Sequence, residues 1–313
     1  MITRVSFINM SKEEWIAQRQ KTIGGSDAGT IVGLNQYSSP YSLWAIKTGR
    51  LIPEDISSKE SVRLGNDLEE YVAKRFTEAT GKKLRRDNNF VYNSDYPFAH
   101  VQADRLVCGE DAGFEAKTTS NYENIKNCKN GKFNDLWYAQ CVHGMMVTGL
   151  KKWYLGVLCF GHGFFYFEIE RDENEINALA KAERDFWTLV ENDTPPSADG
   201  EASTTDTLNS LYPNSNGETI SLFGYDNVLK QYMDITAQIK SLTALKDEMA
   251  NKVKDYMKES AKGETDNFKV SWATQSRSTF DHKQFKEDHP DIDMDDYYKT
   301  TSSRVFKVTE INK

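Results

Sequence analysis

HVQADRLVCGEDAGFEAKTT, residues 100–119, carries Asp104 and then, after ten intervening residues, the Glu115-Ala116-Lys117 triplet. Between them Gly109-Glu110-Asp111-Ala112-Gly113 concentrates turn formers and reads as the bend of a β-hairpin. Strand residues two apart project to one side, so Glu115 and Lys117 share a face, and hairpin pairing brings Asp104 beside them. Two carboxylates and an ammonium then crowd one spot among Val101, Leu106, Val107, Phe114 and Ala116. Such a group is costly to bury unless it serves a ligand. A hard divalent cation together with a phosphodiester answers to that chemistry.

The flanking segments supply the rest of an α/β plan. Upstream, residues 11–49 have a helical pattern, opened by a capping box at Ser11 and Glu14 and interrupted by Gly24-Gly25-Ser26-Asp27. A further helix is expected after Pro40, over 41–48, stopped by Gly49. Residues 63–80 form a stronger amphipathic helix, with Leu64, Leu68, Tyr71, Val72 and Phe76 on one face and Gly81 at its end. Strands are expected at 90–92, 99–108 and 113–119, a helix at 135–148, strands at 152–158 and 164–169, and a helix at 172–191. This order predicts a mixed central β-sheet flanked by helices on both sides.

Past residue 197 the character changes. Pro195-Pro196 and the polar run behind it predict a linker over 198–222, separating a core at 1–197 from a module at 223–313. In that module Val228, Tyr232, Ile235, Ile239, Leu242, Leu245, Met249, Val253 and Tyr256 recur mostly every three or four residues. They predict a helix of roughly 35 residues, about 50 Å long, with a coiled-coil-like apolar row. Short strands are expected at 268–272 and 304–308. The module is expected to serve interaction, by self-association or by docking a partner, because so long a helix buries its apolar row against something.

Composition narrows the classes. With 313 residues, 38% hydrophobic and 12% aromatic, the chain can pack a sizeable core. There is no run of about 20 apolar residues and no apolar leader segment, so a cytoplasmic protein without a membrane span is expected. Cys108, Cys128, Cys141 and Cys159 lack paired metal-ligand spacing and are expected as reduced thiols. The net charge of −8 argues against nonspecific attraction to nucleic acid but leaves room for a local basic channel.

Hydrolysis of a phosphodiester needs a nucleophilic water, neutralised phosphoryl oxygens and help for the departing oxygen. Magnesium supplies much of this when one or two carboxylates hold it. Asp104 and Glu115 are the candidate ligands, with the Ala116 carbonyl as an added oxygen. Lys117 either orients or deprotonates the water, or stabilises developing charge. Glu69, with Glu70 as the fallback, offers a further carboxylate from the preceding helix.

Five ordered blocks extend the pattern: EEWIAQRQKTIGGSDAGTIVGLNQYSSPYSLWAIKTG, RLGNDLEEYVAKRF, HVQADRL, GFEAKTT and LWYAQCVHGMMVTGLKKWYLGVL. Across residues 13–192 they resemble the YqaJ-like viral recombinase family, related to the lambda-type exonucleases of the PD-(D/E)xK nuclease superfamily. The resemblance implies a restriction-endonuclease-like core and a metal-dependent exonuclease. Its expected work is to degrade one strand of linear duplex DNA from a 5′ end, releasing mononucleotides and leaving a 3′ overhang for a single-strand annealing protein. It implies about two Mg²⁺ per active site, with Mn²⁺ as an alternative, a ring-shaped trimer, and a phage or prophage gene expressed in a bacterial host.

Position by position, the resemblance assigns Asp104, Glu115 and Glu69 to the metal, Lys117 to catalysis, and Gln140 to the helix beside the active site. Arg19 and Ser26 match positions that hold a terminal 5′-phosphate. Gly24 and Gly25 permit close backbone approach there, although Asp27 beside them repels an anion. Tyr138 and Arg105 are candidate DNA contacts, and Lys126, Lys129 and Lys132 are the basic cluster favoured for backbone contact. The chain departs from the pattern at Arg105, where many relatives have glycine, at Thr118-Thr119, where proline is frequent, and throughout the segment after residue 197. A structure- or site-selective endonuclease on the same core, and a non-catalytic recombination adaptor, are the alternative readings.

Overall fold

A computed structural model of the chain describes residues 1–53, 55–294 and 297–311. The chain opens with β1 (Ile2–Ser6), α1 (Lys12–Gln20), α2 (Gly25–Ile31), α3 (Pro40–Lys47) and α4 (Glu60–Thr80). Strands β2 (Leu84–Arg86), β3 (Asn89–Asn93), β4 (His100–Val101), β5 (Arg105–Val107) and β6 (Ala112–Thr119) follow. Next come α5 (Tyr122–Lys129), α6 (Asp135–Thr148), β7 (Lys152–Cys159), β8 (Gly163–Glu170), α7 (Glu173–Glu191) and α8 (Ala202–Leu211). Two compact units result, Met1–Tyr212 and Pro213–Lys313.

The first unit is built on a five-stranded mixed sheet in the order β2-β5-β6-β7-β8. Strands β5 and β6 form the expected hairpin, and β6 runs parallel to β7 after the crossover through α5 and α6. On one face Ala112 and Phe114 of β6 pack with Val72, Ala73 and Phe76 of α4. On the other, Trp153, Leu155 and Val157 of β7 meet Cys141, Val142 and Met145 of α6. Period-2 alternation thus places the side chains of Glu115 and Lys117 toward α6, on the face that Gly113 leaves open, and those of 112, 114 and 116 toward α4. Helices cover both faces, as the sequence pattern implied.

Trp153 fixes how closely α6 lies on the sheet. A Cβ at Gly113 would stand 2.5 Å from its ring, and one at Gly144 would stand 2.6 Å away. The indole is therefore a plate held between two glycines, and alanine at either would force it to move, at about 1–3 kcal/mol.

Several expectations change. The single strand expected at 99–108 is two strands in different sheets: β4 belongs to a three-stranded sheet with β1 and β3, while β5 joins the five-stranded one. The chain changes sheets at Gln102-Ala103-Asp104, and the strand at 90–92 goes with the smaller sheet. Within the stretch read as a linker, residues 202–211 form α8. Its Thr204 hydroxyl donates to Ser39 at 2.7 Å, and Thr207 and Ser42 share a hydroxyl bond of 2.8 Å, so polar residues rather than apolar ones seat this helix on α3.

In the second unit α9 (Asp226–Met257) is the long helix, followed by the hairpin β9 (Lys262–Glu264) and β10 (Lys269–Ser271) and by α10 (His282–Asp288). Residues 304–308, expected as a strand, lie outside the strands of the described residues. Phe306 instead packs edge-on against Tyr232 of α9, with centroids 5.5 Å apart. Val228, Ile235, Leu242 and Met249 of the apolar row are exposed, and among the described residues of this unit Met257 is the one buried hydrophobic side chain.

Candidate active site

The hairpin register decides the site. Arg105 pairs with Phe114 and Leu106 with Gly113, so extending the ladder by one step sets Asp104 opposite Glu115. There the Ala116 amide donates to Asp104 Oδ2 at 2.8 Å. Lys117 Nζ donates to Glu115 Oε1 at 2.8 Å and to Gln140 Oε1 at 2.8 Å. Gln140 Nε2 closes the ring by donating to Glu115 Oε1 at 2.6 Å. Glu115, Lys117 and Gln140 therefore form a closed hydrogen-bonded ring, with Asp104 held beside it by the Ala116 amide.

Burial and like charge strain this group. Burial pushes the Asp104 carboxyl well above the usual carboxylate range, Glu115 adds to the rise, and Lys117 opposes it. For Lys117 burial disfavours the ammonium, but Glu115 and Asp104 outweigh it and hold its pKa above the ordinary lysine value. Lys117 is thus a charged donor here. A site that raises one carboxyl and pins an ammonium beside it is short of positive charge, which is what a cation provides.

Glu69 reaches the same place from α4. It lines two clefts, of about 460 and 310 Å³, that meet at Asn66, Glu69, Asp104 and Glu115. Glu70 lines neither, so the helix turns Glu69 and not Glu70 toward the acidic centre. Glu69 is nevertheless engaged, because the Arg105 guanidinium pairs with it and also donates to Glu70 at 3.0 Å and to the Asp104 carbonyl at 2.6 Å. Among the described residues no group of three or more His, Cys, Asp or Glu side chains converges as a metal-binding set. Magnesium does not require one: one or two carboxylates plus waters suffice, and Asp104 and Glu115, with the Ala116 carbonyl next to Glu115 in sequence, fit that donor set.

The larger cleft continues to Arg19, Gly24, Gly25 and Ser26. Arg19 lies over the Trp15 ring, 4.6 Å from its centroid, and donates to Ser26 Oγ at 3.1 Å. The carboxylate of Asp27 is turned away from any anion by two partners, since it accepts the Gly24 amide at 2.9 Å and pairs with Lys47 at 2.8 Å. Burial would raise its pKa, but Lys47 and the Gly24 amide hold it below the usual value. Helix α2 has seven residues, so anion affinity at this end falls on Arg19 and Ser26 more than on a helix dipole. A Cβ at Gly25 would press on Gln140 Cγ at 3.2 Å, which sets this end of the cleft against α6.

The remaining candidates lie elsewhere. Tyr138 donates its hydroxyl to Glu175 and packs on Phe133, outside both clefts. Lys126 and Lys129 sit on α5, where Lys126 lies 3.8 Å from Glu123 and Lys129 bonds His162 at 3.1 Å. Lys132 is exposed in the turn after α5.

Two relationships support this arrangement from below. The fully buried His143 bonds Glu183 at 2.7 Å and donates through Nε2 to the His100 carbonyl at 2.8 Å, tying α6 and α7 to the strand that leads into Asp104. His100 lines the cleft against Gly24, and burial with His143 nearby lowers its pKa to about 3, so its ring is neutral.

Residues 14–151 match the model of the YqaJ-like viral recombinase domain. A curated protein of Bacillus subtilis (strain 168), named "Uncharacterized protein YqaJ", is 34% identical over 308 residues, covering 97% of this chain and 96% of that one. This chain belongs to the YqaJ-like viral recombinase family. Among solved structures, an alkaline exonuclease from Laribacter hongkongensis (LHK-Exo) superimposes with a TM-score of 0.50 at 19% identity, over 58% of this chain and 94% of that one. The LHK-Exo complex with dAMP gives a TM-score of 0.50 at 20% identity, with the same coverage. These structures share the fold of the first unit of this YqaJ-like chain. No helix among the described residues is long and apolar enough to cross a membrane.

The sequence reading missed Lys47, which neutralises Asp27, and the His143–Glu183 pair. Lys47 carried no signal beyond closing a helix. His143 was visible on a helix face, but its partner comes from α7, 40 residues on.

Proposed function

We propose that this protein is a Mg²⁺-dependent exonuclease acting on linear double-stranded DNA from a 5′ end. It releases mononucleotides and leaves a 3′ overhang for an annealing protein in phage-type recombination. The observation that carries the reading is the ring of Glu115, Lys117 and Gln140 beside Asp104, with Asp104, Glu115 and Gln140 lining a cleft that also holds Arg19 and Ser26. Membership of the YqaJ-like family and the likeness in fold to an alkaline exonuclease support it.

In this reading Arg19, backed by Trp15, and Ser26 hold the terminal phosphate, which sets the end of the strand at a fixed distance from Asp104. Asp104, Glu115 and the Ala116 carbonyl would hold the divalent ion, which would polarise the phosphoryl oxygens and acidify water. Lys117, as an ammonium, orients the attacking water and offsets charge growing on the phosphoryl group. Gln140 keeps Lys117 and Glu115 in register. Lys126, Lys129 and Lys132 provide backbone contacts outside the clefts, and residues 223–313 form an interaction module for self-association, with a trimer as the proposed assembly, or for the annealing partner.

Digestion of linear duplex labelled at either terminus, with a covalently closed circle alongside, tests this. Mg²⁺-dependent loss of the 5′ label first, with the circle intact, is expected. Cleavage of the circle would favour an endonuclease on the same core, and no release at all would favour an adaptor.

A further inference from the structure

The larger cleft has a histidine in its wall. His100, on β4, lines it together with Arg19, Gly24 and Ser26. Its side chain packs on Phe90 and Tyr92, with centroids 5.3 and 6.0 Å away, and the residue is 1% exposed. Nδ1 bonds the Thr22 hydroxyl at 2.8 Å, whereas Nε2 has no hydrogen-bond partner among the described residues. Nε2 keeps a narrow opening to the cleft, beside Gly24, where a Cβ would stand 3.2 Å from it. Glycine leaves that space free. A ring nitrogen so enclosed, with room for a partner that the protein does not supply, is completed by a ligand.

The bonding also assigns the proton. Burial, with the His143 and Lys47 charges nearby, keeps the ring neutral, so one nitrogen carries a proton and the other accepts. The Thr22 hydroxyl has no other protein partner among the described residues, so donation to Nδ1 satisfies both groups and leaves the ring proton on Nε2. A parallel relay stands beside it. Ser26 Oγ accepts from Arg19 at 3.1 Å and keeps its own proton for the cleft. The nearby Asp27 carboxylate is already engaged by Lys47 and the Gly24 amide. This end of the cleft therefore presents donors, and an ionised phosphate presents only acceptors.

We propose that His100 is a third ligand of the terminal 5′-phosphate: its Nε2–H donates to a phosphate oxygen beside Arg19 and Ser26. Thr22 is the positioning residue that holds the proton on Nε2. This deepens the 5′-end reading and rests on it. Arg19 supplies the charge, and His100 supplies a neutral donor of fixed direction.

The test compares kcat/KM of the full chain on 5′-phosphorylated and 5′-hydroxyl linear duplex, with Mg²⁺, in two variants of equal side-chain length. His100→Met, which lacks a donor, is expected to lower the ratio about tenfold, the worth of a hydrogen bond to a charged group. His100→Gln, which keeps an N–H, is expected to stay within about threefold of wild type. Nitrogen-15 NMR of histidine-labelled protein reads the tautomer directly. His100 is one of five histidines, so its signal is the one lost in His100→Gln. The proton is expected on Nε2, with that resonance shifted by a 5′-phosphorylated oligonucleotide and not by its 5′-hydroxyl counterpart, and Thr22→Val is expected to spread the proton over both nitrogens. A proton on Nδ1 in the wild type, an equal response to both oligonucleotides, or an unchanged ratio in a natively folded His100→Met would each overturn the proposal. If His100→Met does not fold, as its circular dichroism would reveal, the NMR measurements decide. Loss of preference in Arg19→Ala but not in His100→Met would overturn this inference alone, whereas a wild type indifferent to the phosphate would overturn the 5′-end pocket with it.

Discussion

The two units of this chain use apolar residues in opposite ways. In Met1–Tyr212 the centre of the five-stranded sheet packs against helices on both faces, with Trp153, Leu155, Phe76 and Phe114 almost wholly buried. In residues 213–311 the nine-membered row along α9 stays in solvent, with Leu242 64% exposed and Tyr256 90% exposed. The first unit satisfies itself and can afford a strained polar group at its centre. The second has a helix whose stability must come largely from whatever covers that row, since helix propensity contributes little over such a length.

The largest effect should fall on chemistry in the first unit. Lys117→Ala is expected to lower DNA hydrolysis by about a thousandfold or more with the fold retained, since it removes charge stabilisation at the phosphoryl group. Leu242→Asp in α9 should change the same single-turnover rate by less than about threefold, as a change at an exposed position of the second unit. Comparable losses in both would show that the second unit takes part in catalysis.

Stability sharpens the contrast next. Leu155→Ala should cost about 2–5 kcal/mol in urea unfolding, as a cavity in a packed core does. Leu242→Ala should cost within about 0.5 kcal/mol in dilute protein. A large cost at Leu242 that grows with protein concentration would mean that the row is covered by another copy.

Smaller again is the effect at the phosphate end of the cleft. Arg19→Ala should reduce the preference for 5′-phosphorylated over 5′-hydroxyl ends by about 10- to 100-fold, the worth of hydrogen bonds to a charged group. Equal preference in wild type and variant would remove the pocket from the account.

The subtlest expectation concerns pH. The folded-state pKa of Asp104 is raised by burial and by Glu115, so its stability contribution is present below the unfolded carboxylate value of about 3.9 and is lost as pH rises through the folded value. The chelator-treated protein should therefore lose stability from this group as pH is raised across that interval. Asp104→Asn should remove that part of the slope, in the whole chain and in a chain ending at Tyr212 alike. A slope unchanged by the substitution would sink this reading.

What the sequence disclosed follows from periodicity and spacing. The β5–β6 hairpin was legible because Gly109–Gly113 is dense in turn formers and Glu115-x-Lys117 alternates on a strand. The helices α4, α6 and α7 showed their apolar faces and glycine or polar ends. The change of sheets at Asp104 was not legible, because nothing local distinguishes a strand that continues from one that leaves its neighbours. Helix α5 buries just Ile125 and Cys128, too few to make a period, and α8 buries Thr204 and Thr207, which read as linker. Within the site, spacing singles out Asp104, Glu115 and Lys117, whereas Gln140 follows from the family resemblance alone. The hold of Arg105 on Glu69 was not legible, since it depends on the rotation of α4 about its axis.

The proposal that Asp104, Glu115 and Lys117 serve a bound divalent cation is tested most directly by nucleotide release from linear duplex DNA. The full chain and Asp104→Asn would be assayed side by side, each with Mg²⁺ and with a chelator. Release by the wild type with Mg²⁺, and by none of the other three, is the expected result. Equal release by Asp104→Asn, or undiminished release in the chelator, would contradict it.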